Sequence, residues 1–297
     1  MVREQKTIAS DLTFTEAPRW HDGRLWFSDF YTSRVFSVAE DGSDLKVELE
    51  LPGQPSGLGW LPDGRLLVVS MRDAKIFRRE PSGAIATHAD LKAHVRGLLN
   101  DMVVDASGRA YAGSFGFDLA GGERIETTSL AIVGPDGAVS MGGGDLWFPN
   151  GCIITPDGKT LLVAETMGNR ISAFDINPQD GSLSDRRDWA TFGNLPTSRI
   201  YAELKQEALP DGCCLDAEGC VWVADAGGKR ILRVREGGEV VEQIDTGTGA
   251  FACMLGGADG RTLFACLAPD HNRDNRLKAN EATIVAMRVE VPGAGLP

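Results

Sequence analysis

A tight turn ending in glycine recurs six times along the chain, each time between short apolar runs, and this recurrence narrows the folds open to it. The copies are Trp20-His21-Asp22-Gly23, Trp60-Leu61-Pro62-Asp63-Gly64, Val104-Asp105-Ala106-Ser107-Gly108, Ile154-Thr155-Pro156-Asp157-Gly158, Leu215-Asp216-Ala217-Glu218-Gly219 and Gly256-Gly257-Ala258-Asp259-Gly260. An apolar run, an Asp-Gly turn and a second apolar run signal a β-hairpin. The turn glycines stand 41, 44, 50, 61 and 41 residues apart. A period of about 40–50 residues with several short strands per unit is that of a propeller blade. The units lack a 3.6-residue apolar period, which excludes a helical solenoid. The expected fold is therefore all-β: a six-bladed β-propeller, four antiparallel strands per blade, spanning residues 1–297 as a single domain.

Later strands are legible in most units. Third strands are expected at Arg34–Val38, Lys75–Arg79, Arg170–Phe174 and Arg230–Val234, and weaker outer strands at Leu45–Leu49 and Glu239–Ile244. The last unit offers a second strand (Leu263–Leu267) and a third (Thr283–Val289) but no fourth. The N-terminal stretch Lys6–Leu12 is expected to fill that place, closing the ring without an exposed edge. Meander geometry then assigns each loop to a face. The Asp-Gly turns lie at one end; the starts of the first strands and the loops between second and third strands share the other. The long insertions Phe115–Thr128, Gly193–Pro210 and Ala268–Ala282 all fall on that second face, which marks it as a binding mouth.

Composition removes several functions. With Lys plus Arg at 30 against Asp plus Glu at 42, the net charge of −12 disfavours nucleic acid or an anionic membrane as partner. No run of apolar residues is long enough to span a membrane, and MVREQKTIASDLTF lacks the apolar core of a secretory signal, so a cytoplasmic location is expected. The cysteines at 152, 213, 214, 220, 253 and 266 form no C-x-x-C pair, and with only 4 histidines a structural zinc site is not expected. They are read as small buried hydrophobes. No G-x-S-x-G elbow or dinucleotide fingerprint is present, and Gly142-Gly143-Gly144 lacks the Lys-Ser/Thr of a phosphate loop and reads as a loop before the fourth first strand.

Counting four residues back from the last apolar residue of each first strand gives Glu16, Ser56, Asn100, Asn150, Asp211 and Ala252. First strands line a propeller's axis, so these positions should ring the central channel near the mouth. Four of the six carry a carboxylate or carboxamide oxygen. Small residues follow several of them (Ala17, Gly57, Gly151, Gly212), as a crowded axis requires. Oxygen donors converging without Cys or His suit one hard divalent cation: Ca²⁺ first, Mg²⁺ or Mn²⁺ next, with Zn²⁺ or Fe²⁺ open if the shell is small.

These residues carry a family likeness. Glu16-Ala17-Pro18-Arg19-Trp20, Asn100-Asp101, Pro149-Asn150-Gly151 and Pro210-Asp211-Gly212, in this order and spacing, resemble the SMP-30/gluconolactonase/luciferin-regenerating-enzyme family over nearly the whole length. The resemblance implies a six-bladed propeller with one catalytic divalent metal in the channel and, for many members, lactone hydrolysis. It matches Glu16, Asn150 and Asp211 to the metal ligands, and Asn100 to a residue that touches substrate or completes the metal shell. Sugar-lactone members carry an Arg two residues before that Asn; this chain has Leu98. With Phe115, Phe117, Trp147 and Phe148 nearby, the pocket reads as more apolar than a sugar site.

The expected activity is metal-dependent opening of a lactone or related ester by an activated water, with Asp211 as ligand and candidate base, Glu16 as ligand only, and Leu98, Asn100, Phe115, Phe117 and Phe148 against the substrate. His94 and His271 are placed where either could reach the mouth. A non-catalytic binding module with a structural metal stays open, as does another metal-assisted ester or carbonyl reaction such as the condensation of strictosidine-synthase-like propellers. Oligomeric state is not legible.

Overall fold

A computed structural model describes residues 3–296. Among the described residues its strands form six small antiparallel sheets, five of four strands and one of five; in five of them the four main strands are a meander in chain order, and the sixth takes its outer strand from the N-terminus, while neighbouring sheets touch through their innermost strands all the way round. The fold is a six-bladed β-propeller. The inner strands are Thr15–His21, Pro55–Trp60, Leu99–Val104, Pro149–Ile154, Pro210–Asp216 and Gly249–Gly256. We number the blades 1 to 6 by these strands. The hairpin after each inner strand turns on the glycine that marks the repeat. In blade 1 both turn residues have positive φ (Asp22 49°, Gly23 73°), the two-residue turn whose twist matches that of the strands it joins.

The ring closes as the N-terminal sequence suggests. Lys6–Leu12 pairs antiparallel with Ala282–Arg288 and completes blade 6 from outside, so first and last blades are sewn together by backbone hydrogen bonds. The core lies between blades, where residues such as Phe27, Leu67, Tyr111 and Trp222 are fully buried. All six cysteines are free and buried, and burial pushes the Cys213, Cys253 and Cys266 thiols up, away from the reactive thiolate. Among the described residues no helix is long and apolar enough to cross a membrane.

Two expectations are corrected. Gly142–Gly144 is not a loop: it lies inside the outer strand Val139–Leu146 of blade 3, whose ladder is irregular between Thr128 and Leu130 of its partner. Gly143, at φ 61°, permits that break without a Cβ clash. The chain also does not finish its β-structure in blade 6. Gly293–Ala294 pairs with Leu215 and Asp216 of blade 5, and Leu296 exchanges backbone hydrogen bonds with Ile154 of blade 4 (2.8 and 3.0 Å). The tail thus lies across the turn-side ends of inner strands, opposite the mouth.

Candidate functional site

Each inner strand carries one residue more than its partner at the same level. The extra residue falls between Glu16 and Arg19, Pro55 and Leu58, Leu99 and Met102, Pro149 and Cys152, Pro210 and Cys213, and Ala250 and Ala252. A bulge re-aims the side chain beside it, and six bulges at one level form a ring of irregular backbone around the axis. Glu16, Ser56, Asn100, Asn150 and Asp211 sit in this ring and are all buried. The sixth position belongs to Phe251 rather than Ala252. The register of blade 6 puts Phe251 inside the bulge, while Ala252 takes the place of the small residue that follows. The close approach of blades confirms that alignment: a Cβ on Gly212 would lie 2.4 Å from that of Ala252, as one on Gly151 would lie 2.6 Å from the Asp211 carbonyl oxygen.

Hydrogen bonds step from one ring residue to the strand of the next. Asn100 Nδ2 donates to the Pro149 carbonyl (3.2 Å), just before Asn150. Asn150 Nδ2 donates to Thr166 Oγ1 (3.1 Å), whose hydroxyl donates to the Pro210 carbonyl (2.8 Å), just before Asp211. Asn100 thus donates one N–H to the neighbouring blade, and Asn150 donates one to Thr166 of its own blade, which passes the link on to the next. Their oxygens remain as acceptors.

The carboxylates are less well served. Glu16 Oε2 accepts only a long bond from the Ala17 amide (3.3 Å). Among the described residues Asp211 Oδ1 is buried without a hydrogen-bond partner. Burial, then the charges of Asp211 and Asp101, holds the Glu16 carboxyl well above the usual carboxylate range. Burial, then Asp101 and Asp225, does the same to Asp211. Glu16 and Asp211, far apart in sequence, thus share one buried neighbourhood with Asp101. Sequence reasoning singled out neither Asp101 nor Arg19, which bonds to it at 2.6 Å with both side chains buried. Arg19 also donates to the carbonyls of Leu58 (3.2 Å) and Met102 (2.8 Å), joining the inner strands of blades 1, 2 and 3. The only local hint was its place in the Glu16–Trp20 segment.

An apolar wall flanks the ring on the side of blades 3 and 4. Leu98 and Phe115 are half-buried and joined by a backbone bond (2.9 Å), and the Phe115 ring lies 4.2 Å from that of Phe148. Phe117 is fully enclosed behind Phe148, with Ile125, Trp147 and Met167. The Arg199 guanidinium covers Trp147 at 5.1 Å and donates to the Ile125 carbonyl (2.9 Å), clasping two of the long mouth loops together. His94 lies elsewhere, beside Arg96 and Glu126 in a surface hollow of about 440 Å³ that includes no ring residue. The His271 side chain is exposed, and its carbonyl accepts from Tyr31 Oη (2.6 Å).

Among the described residues no three His, Cys, Asp or Glu side chains are arranged to hold a metal by themselves. The ring instead offers two carboxylates and two carboxamides. With one buried carboxylate oxygen orphaned and Arg19 already committed to Asp101, this donor set fits a hard cation.

The family model described as "SMP-30/Gluconolactonase/LRE-like region" matches residues 14–268, which include every ring position. The chain belongs to this family. A regucalcin from Xenopus laevis is 31% identical over 279 residues, covering 91% of this chain and 88% of that one. Among solved structures, a regucalcin from Agrobacterium tumefaciens described as a calcium-binding protein superposes with TM-score 0.80 at 21% identity, covering 100% and 97% of the two chains. A gluconolactonase from Xanthomonas campestris gives TM-score 0.74 at 23% identity, covering 98% and 90%.

Proposed function

We propose that this member of the SMP-30/gluconolactonase family is a divalent-metal-dependent hydrolase that opens a lactone or closely related ester. Glu16, Asn150 and Asp211 would hold the cation, with Ca²⁺ the best match to an all-oxygen donor set. The observation that carries the reading is Asp211 Oδ1, buried and, among the described residues, without a hydrogen-bond partner, beside the Glu16 carboxylate, which forms no salt bridge among them. The family membership and the relatives described as calcium-binding and as a gluconolactonase support it.

When bound, the cation supplies Lewis acidity to a carbonyl oxygen and to water. Asp211 has two oxygens for two tasks: one would help to hold the cation, leaving the other to accept the proton of the attacking water. Glu16 would be a ligand only. Asn100, with one N–H fixed on Pro149, would use its second N–H to orient the substrate carbonyl or its oxygen to orient the water. Leu98, Phe115 and Phe148 exclude water and receive the apolar part of the substrate, with Phe117 filling the space behind them. Leu98 stands where sugar-lactone members carry Arg, so the substrate is less polar than a sugar lactone.

The test is a panel of aliphatic, aromatic and sugar lactones, with Asp211→Asn beside the wild type. The variant should keep measurable cation binding while its turnover falls by about 10²–10⁴-fold, the range for a lost general base. Undiminished turnover by Asp211→Asn would remove that residue from the mechanism.

A further inference from the structure

Three blades carry the oxygens proposed to hold the cation, and the same three carry a second, buried carboxylate that the mechanism does not use. In the inner-to-second-strand ladder, Thr15 pairs with Asp29, Pro149 with Glu165 and Pro210 with Asp225. Each of these partners lies opposite the residue that immediately precedes Glu16, Asn150 or Asp211. In blades 2 and 3 the same register position holds Ser70, opposite Pro55, and Ser114, opposite Leu99. In blade 6 it holds Leu267, opposite Ala250. The carboxylate therefore appears only where the ring residue is Glu16, Asn150 or Asp211.

All three acids are essentially inaccessible, at 0%, 0% and 1% exposure for Asp29, Glu165 and Asp225. All three use an oxygen to grip the backbone that leads into the inner strand. Asp29 accepts from the amides of Thr13 and Phe14 (3.0 Å each). Glu165 Oε2 accepts from the Trp147 amide (2.8 Å). Asp225 Oδ1 accepts from the Leu209 amide (2.9 Å). Arginines balance the charge in two cases: Arg170 and Arg186 on Glu165 (2.8 Å each), and Arg230 on Asp225 (2.8 Å). A buried carboxylate held by charged and amide donors on several sides is a rigid post.

We propose that Asp29, Glu165 and Asp225 are positioning residues that fix the entry of their inner strands, and so the aim of Glu16, Asn150 and Asp211 at a shared divalent cation. This rests on the metal reading above and deepens it. It also separates Asn100 from the cation shell: its blade has Ser114 at the post position, where the hydroxyl bonds Thr128 Oγ1 (3.1 Å) rather than the incoming backbone, which marks Asn100 as a substrate contact.

Calorimetric titration of the chelator-stripped full chain with Ca²⁺ tests this, well below each variant's melting temperature. Asp225→Ala and Glu165→Ala should bind Ca²⁺ about 10–100-fold more weakly, the usual penalty for removing a group that orients a metal ligand. Asp225→Asn keeps an acceptor for the Leu209 amide but loses the charge, so it should retain near wild-type affinity. Ser70→Ala and Ser114→Ala, at the same register position, should leave affinity unchanged whatever they do to stability. Alanine variants that bind as tightly as wild type would overturn the proposal, as would Asp225→Asn falling as far as Asp225→Ala, since charge rather than position would then be acting. A wild type that binds none of Ca²⁺, Mg²⁺ or Mn²⁺ would instead overturn the metal reading itself.

Discussion

Arg19 and Asp101 face one another at 2.6 Å, and each is the other's only salt-bridge partner among the described residues. Because Arg19 is committed there, Glu16 and Asp211 have no salt-bridge partner among the described residues, and the Asp101 charge pushes both carboxyls up further. Three acids against one base leave a net charge of two negatives when all are ionised. That is the complement of a divalent cation.

Asp101→Asn should therefore be costly in two ways. It leaves a guanidinium buried with no counter-charge, worth about 3–5 kcal/mol of stability by analogy with other broken buried pairs. It should also weaken cation binding, since the channel loses a negative charge. Chemical denaturation and calorimetry measure the two separately. The double variant Arg19→Met/Asp101→Leu should be the more stable of the two, because no charge is left stranded.

The raised carboxyls of Glu16 and Asp211 fix the sign of a pH effect. In the cation-free protein the native state holds these protons more tightly than the unfolded chain does. Their contribution to stability is full below the ordinary carboxylate range and is lost as pH rises through the native values. A bound cation replaces those protons, so its stabilising effect should grow with pH. The difference in melting temperature between Ca²⁺-loaded and chelated protein should widen from about pH 5 to about pH 8. An equal difference at both ends would contradict the assignment of these two groups.

At Gly151 the inner strand of blade 4 packs tightly on that of blade 5 beside the ring. A Cβ there would lie 2.6 Å from the Asp211 carbonyl oxygen and 2.7 Å from the Cys213 amide nitrogen, both backbone atoms that cannot rotate away. Gly151→Ala should cost about 1–3 kcal/mol, as overpacking does, and should impair Ca²⁺ binding because the Asp211 strand must shift. Unfolding curves and calorimetry check both effects.

Leu98 tests the substrate class. Leu98→Arg restores the residue that sugar-lactone members carry and places a charged donor beside Phe115. The kcat/KM ratio of a sugar lactone to an aliphatic lactone should rise at least about 10-fold, the scale of a pocket change of one to three kcal/mol. A ratio that does not move would detach Leu98 from the substrate.

The fold was legible because it repeats: turn glycines recur at blade spacing, and in five of the six inner strands a polar residue stands seven or eight residues before the turn glycine. What was not legible depended on contacts without a local signature. Phe251 displaced Ala252 at the sixth position because a bulge inserts a residue, and no composition rule marks a bulge. The Arg19–Asp101 pair joins residues 82 apart, and the tail's bridge to Ile154 joins blade 4 to a segment with only two residues in its strand. Asp29, Glu165 and Asp225 end ordinary-looking strands; their shared role appears only once register aligns them.

The most direct measurement is lactone turnover by chelator-stripped protein as Ca²⁺ is titrated back. Hydrolysis should be negligible without the cation and should recover to a plateau at one ion per chain. Full activity in chelator, or none on any lactone at saturating Ca²⁺, Mg²⁺ and Mn²⁺, would contradict the proposed function.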